Sequence, residues 1–191
     1  MMRRACIAAL AALLAAGCAT TVVRDEPLAV KVARGAEAAT APLAEALLAH
    51  ERGTRAEALE VAWKDKAFTA EIVTKGDGET LKIVLLAPQM RLATLTVERP
   101  RRITWERAPR VPAALAPEYA LFDIAFVRLP ADALAAALGP AFLVKDDGVR
   151  RVLLRGGEEI RVLERRGEGE LLFVNPSAGY ECRATPMETA P

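Results

Sequence analysis

The chain has 191 residues, 26 of them Lys or Arg and 25 Asp or Glu. That balance offers no electrostatic case for nucleic acid, whose binding needs a basic surface. One His, one Ser and three Cys leave too little for a disulfide framework, a cysteine metal site or an evident nucleophile and base pair.

The N-terminal segment carries Arg3 and Arg4, an uncharged apolar run from Ala5 to Ala16, then Gly17. A helix crossing a bilayer needs roughly 20 apolar residues. A basic start, a short apolar core and small residues predict a secretory signal peptide over residues 1–17. Ala15, Ala16 and Gly17 end at Cys18, and this resembles the lipobox of bacterial lipoproteins, with Ala15 where that class prefers Leu. The resemblance implies a diacylglyceryl group on the Cys18 sulfur, cleavage before it and acylation of the new N-terminus. Three acyl chains, at roughly 0.8 kcal/mol per buried methylene, would hold the protein on a membrane. Ala19 and Thr20 follow Cys18 where inner-membrane lipoproteins carry Asp, so the implied destination is the outer membrane, with the domain facing the periplasm. A plain signal peptide or an uncleaved N-terminal helix is the alternative.

Loss of Arg3 and Arg4 with the leader leaves 24 basic against 25 acidic residues. Cys182 then has no intramolecular partner and is expected as a small buried strand residue. Residues 18–40 predict a lipidated tether, with room for a short strand at "LAVKV". Residues 41–186 predict one domain and 187–191 a tail. "APLAEALLAHERG" places Leu43, Leu47 and Leu48 on one helical face, with His50 facing solvent near the end and Gly53 as the stop.

From Glu57 the hydrophobic period drops to two, the mark of half-buried strands. Leu59, Val61 and Trp63 alternate in one run, Phe68, Ala70 and Ile72 in the next, and Leu81, Ile83 and Leu85 follow the hairpin signal Asp77-Gly78. "RLATLTVE" and "RRITWER", the latter holding Trp105, complete an expected five-strand antiparallel meander. Leu115, Tyr119, Phe122, Phe126 and Leu129 then recur at helical spacing, with Pro117 in the first turn. A second helix starts after Pro130, carries Leu134 and Leu138 on one face and stops at Gly139-Pro140. Alternation returns near 142–145, 149–155, 158–165 and 170–174, and a last strand runs from Tyr180 to Thr185. Arg150-Arg151 and Arg165-Arg166 are expected on a charged outer sheet face.

This order of elements resembles the LolA and LolB carriers of outer-membrane lipoproteins. "RVPAALAPEYALFDIAFVRLPADALAAALG" and "VNPSAGYECRAT" are similar to an uncharacterised family of LolB-like lipoproteins associated with aryl polyene gene clusters. Pro112, Pro117, Glu118, Asp123, Pro130, Asn175, Gly179 and Tyr180 occupy that family's positions, while Arg128 replaces an aromatic. The resemblance implies a mainly β, α+β fold: an incomplete antiparallel barrel of about nine to eleven strands, with a helical insertion covering its concave face. It carries over no catalytic residues.

An apolar concavity under loosely fitting helices makes a pocket for acyl chains. The expected lining is Leu59, Val61, Trp63, Phe68 and Ile72, continued by Leu81, Ile83, Leu85 and Trp105 and lidded by Phe122 and Phe126. The competing expectation is a packed core that these side chains fill themselves. Two functions follow: a carrier or binding module for a lipid or acyl ligand, or a structural lipoprotein docking to an envelope protein through a sheet edge or the helical insertion. Ser177 and His50 lie in unrelated segments, and neither catalysis nor a cofactor or metal is expected.

Overall fold

Alternation that runs from Gly53 to Pro186 around one helical insertion gives a computed structural model dominated by a single antiparallel sheet. The structure describes residues 20–24, 29–33, 36–88, 90–99, 102–109 and 117–188. The expected leader, Cys18, Pro112 and Leu115 lie outside the described residues.

The chain begins with β1 (Thr20–Arg24), β2 (Ala29–Ala33), β3 (Ala36–Ala39) and α1 (Thr40–His50). A meander follows: β4 (Gly53–Trp63), β5 (Lys66–Gly76), β6 (Thr80–Ala87), β7 (Met90–Glu98) and β8 (Arg102–Arg107). Helices α2 (Pro117–Arg128) and α3 (Ala131–Leu138) separate it from a second meander: β9 (Leu143–Asp146), β10 (Arg150–Arg155), β11 (Glu158–Arg165), β12 (Leu171–Asn175) and β13 (Tyr180–Pro186).

The eleven-stranded sheet has the order β1-β8-β7-β6-β5-β4-β13-β12-β11-β10-β9. Its two meanders join through β4 and β13, where Trp63 faces Tyr180 and Glu57 faces Pro186. Among the described residues, strands β1 and β9 have no neighbour on their outer sides, so the barrel is incomplete, as expected. Residues 20–24, expected in the tether, instead pair with β8. Their Thr-Thr-Val-Val run is β-branched, and β8 offers an open ladder for it. Strand β2 falls in the expected "LAVKV" and pairs with β3 as a separate hairpin.

Turn chemistry fixes the strand ends. Asp77 Oδ1 accepts the Glu79 and Thr80 N–H groups at 2.9 and 2.7 Å, and Gly78 takes φ 99°. Asp147 Oδ1 holds Val149 and Arg150 in the same way at 2.9 and 2.6 Å. Helix α1 stops at His50, and Gly53, expected as its stop, opens β4 at φ 78°.

The helices cover one face of the sheet, here the inner face. Leu43, Leu47 and Leu48 of α1 and Leu121, Phe122 and Phe126 of α2 are fully buried. They share a core with Leu81 and Ile83 of β6, Leu95 and Val97 of β7, and Leu163 and Phe173 of the second meander. Each such side chain contributes roughly 1.5–3 kcal/mol by leaving water. Tyr119, expected in the α2 stripe, is exposed instead.

Candidate functional site

Register decides which side chains share the inner face. Phe68 stands opposite Val61, Ala70 opposite Leu59, Ile72 opposite Leu85, and Ile83 opposite Leu95, which faces Trp105. The nine sheet residues of the expected lining therefore lie on one face, and α2 brings Phe122 and Phe126 over it.

Burial divides that set. Leu81, Ile83, Trp105, Phe122 and Phe126 are packed into the core, whereas Leu59, Val61, Ile72 and Leu85 are half-buried. Trp63 and Phe68 remain 37% and 44% exposed. The β5–β6 ladder covers only Glu71–Gly76, so the end of β5 that holds Phe68 runs past β6. The hairpin of β4 and β5 thus carries an apolar inner face beyond the helices, and the Lys64 ammonium sits 5.4 Å from the Trp63 ring.

Beside this floor lies a buried polar cluster. Arg161, 1% exposed, donates through Nε to Asp123 Oδ1 at 2.8 Å and through Nη1 to Ser177 Oγ at 2.9 Å and the Ile160 carbonyl at 2.7 Å. The Tyr180 hydroxyl donates to Asp123 Oδ2. Ser177 Oγ donates to Asn175 Oδ1 at 2.9 Å, which also accepts the Ala178 N–H at 2.9 Å. The guanidinium lies 5.3 Å from the Phe122 ring. Burial pushes the Asp123 carboxyl up against the opposing pull of Arg161, Tyr180 and Asn175. Burial and the Asp123 charge push the Tyr180 phenol up, so it stays protonated and donates. Gly179, at φ 68°, closes the turn by donating its N–H to the Asn175 carbonyl at 2.9 Å. Asp123, Asn175, Gly179 and Tyr180 therefore act together: they tie α2 to β12, β13 and, through Arg161, β11.

Two further ties hold the other end of α2. Arg151, expected on the outer face, is 4% exposed and points inward. It bonds Asp146 Oδ2 at 2.6 Å and caps α2 through the Phe126 and Leu129 carbonyls at 2.7 and 2.6 Å. Period-two alternation explains the correction: Arg150 faces out to Glu159 while its neighbour must face in. Arg165 also turns to Asp146, at 2.9 and 3.0 Å, while Arg166 pairs outside with Glu164. Burial raises the Asp146 carboxyl, but hydrogen bonds from Arg165, the Gly148 N–H and Arg151 outweigh it and hold the group well below the usual range. Arg128 forms a buried pair with Glu57 of β4. Cys182, half-buried on β13, has its thiol pushed up to about 12 by burial and by Glu57 and Asp123.

An open antiparallel half-barrel with helices tied across its inner face, and with one apolar end uncovered, defines the structural class. The chain belongs to the family described as a protein of unknown function, DUF3261, which matches residues 54–188. Among solved structures it is similar to the LolA superfamily protein NE2245 from Nitrosomonas europaea, with a TM-score of 0.39 and 9% identity over 78% of this chain and 93% of that one. It is also similar to a DUF1329 family protein from Desulfovibrio piger, with a TM-score of 0.35 and 10% identity over 78% of this chain and 90% of that one. No curated protein matches it.

Proposed function

We propose that this protein is a LolB-like lipoprotein, anchored through Cys18 in the outer membrane, whose inner face binds a lipid or acyl ligand in the periplasm and passes it on. The observation that carries this reading is the uncovered floor at Trp63 and Phe68, continuous on one sheet face with half-buried Val61, Leu59, Ile72 and Leu85. Apolar surface left facing water at a helix-covered concavity gains roughly 25 cal/mol per Å² when a hydrocarbon covers it. A polyene-like lipid has the required chemistry, and the reading assigns no catalytic step.

The alternative, docking to an envelope protein, has its own feature: among the described residues β9 is a free edge, and Leu143 on it is 54% exposed. Fluorescence separates the two. Long-chain acyl probes should shift and quench Trp63 emission, and Val61→Glu, which places a charge on the floor without entering the packed core, should remove the response. An unaltered Trp63 signal at saturating probe would favour docking.

A further inference from the structure

One end of the sheet is apolar at its rim and open to water. There the β4–β5 hairpin exposes every residue from Trp63 to Phe68, and Met90, 41% exposed, opens β7 beside the next turn. At the hairpin tip Lys64 and Lys66 flank the single carboxylate of Asp65. Lys64 takes φ 57°, where Gly or Asn is favoured, so the turn keeps a cation at its tip at a conformational cost.

Strand β1 begins at this same end. Thr20 stands opposite Arg107, and the row continues through Ala93 and Leu85 to Ile72 of β5. Past that row the β1 backbone heads back towards Cys18, β7 towards Met90, and β5 towards Phe68 and the hairpin tip. Cys18 precedes Thr20 by two residues, so along the strands it reaches no more than about 7 Å past the row. Phe68 stands about 13 Å past it and Asp65 about 23 Å, on a strand roughly 20 Å to the side of β1. A lipid on Cys18 therefore meets the bilayer at the end from which the hairpin projects, and the hairpin projects further.

We infer that the β4–β5 hairpin is a second membrane contact. Trp63 and Phe68 enter the interfacial layer of the bilayer that holds the Cys18 acyl chains, Met90 joins them at the rim, and Lys64 and Lys66 face anionic phosphate headgroups. Aromatic rings with lysines beside them suit that layer, the rings at the acyl boundary and the ammonium groups among the headgroups. This rests on the lipid-anchored reading and not on any ligand held by the floor. It names the surface against which the open end of the floor stands.

The test uses the lipidated protein reconstituted in vesicles of phosphatidylethanolamine and phosphatidylglycerol with acyl chains brominated near the headgroup. Of the two tryptophans Trp105 is buried, so the difference between the parent and Trp63→Phe isolates the Trp63 emission. Brominated lipid should quench much of that emission, and Phe68→Asp, which places a charge at the acyl boundary, should restore most of it. Lys64→Glu combined with Lys66→Glu should relieve the quenching in these vesicles and have little effect in brominated phosphatidylcholine, which carries no net charge. If the protein floats with the vesicles while Trp63 emission is the same in brominated and unbrominated lipid, the hairpin stands clear of the membrane and only the anchor survives. Quenching that is equal for both headgroup types and both hairpin charges would mean an acyl chain held on the floor, and would overturn the membrane contact. If the protein does not float, the anchor and the hairpin contact fall together.

Discussion

Asp123→Ala should be among the most damaging single changes on α2. It strips the carboxylate partner from Arg161, whose side chain is 2% exposed, and leaves the guanidinium with the Ile160 carbonyl and the Ser177 hydroxyl as neutral acceptors. Tyr180 loses its acceptor in the same step. Removing one partner of a buried ion pair costs about 3–5 kcal/mol. For a chain of this size each kcal/mol lowers Tm by about 2–4 °C, so the expected drop is roughly 6–20 °C. Thermal melts by circular dichroism, with urea titration to check that the m-value holds, measure it. The double variant Asp123→Leu with Arg161→Met removes both charges together and should recover much of the loss. If Asp123→Ala melts within about 2 °C of the parent, or the double variant is no better than the single, the cluster does not hold α2 as described.

Arg128→Ala leaves Glu57, with 7% of its side chain exposed, as an unpaired buried carboxylate and should cost about 3–5 kcal/mol in a urea titration, with Glu57→Gln restoring part of it. Asp146 titrates below its unfolded value of about 3.9, so its contribution is complete above that value and fades as the pH falls below it. Melting temperature against pH for Asp146→Asn should therefore fall less steeply than for the parent between about pH 5 and pH 2, and parallel curves would contradict the assignment. Cys18→Ser should abolish palmitate labelling and flotation with outer-membrane vesicles. Unchanged partitioning would remove the lipid anchor from the account.

Alternation and helical spacing carried most of the architecture. The run expected at 158–165 is β11 as observed, and Asp77-Gly78 sits in the turn it predicted. The short β1 escaped because five residues, two threonines, two valines and an arginine, are too few to show a period of their own. Its place depends on pairing with β8, more than seventy residues away. The buried arginines escaped for a different reason. A charged residue in a strand ordinarily marks the solvent face, yet Arg151 shares its side with Leu153, and Arg161 shares its side with Leu163. That parity was the available signal, since a charge in phase with leucines has to find a buried partner. Asp123, Asn175 and Tyr180 stood out only as positions of a resembled family. Their convergence needs the crossing of α2 over β12 and β13, which no local pattern encodes. The division of the floor into packed and uncovered parts was equally hidden, because it depends on where the helices end and not on which residues alternate.

The central claim, an apolar site open to hydrocarbon, is tested most directly by calorimetric titration of the Cys18→Ser chain with fatty-acyl methyl esters of increasing length. Each methylene moved from water onto the floor should add roughly 0.8 kcal/mol, or about fourfold in affinity, until the floor at Phe68 is covered and the gain stops. A flat series, with affinity independent of chain length, would contradict it.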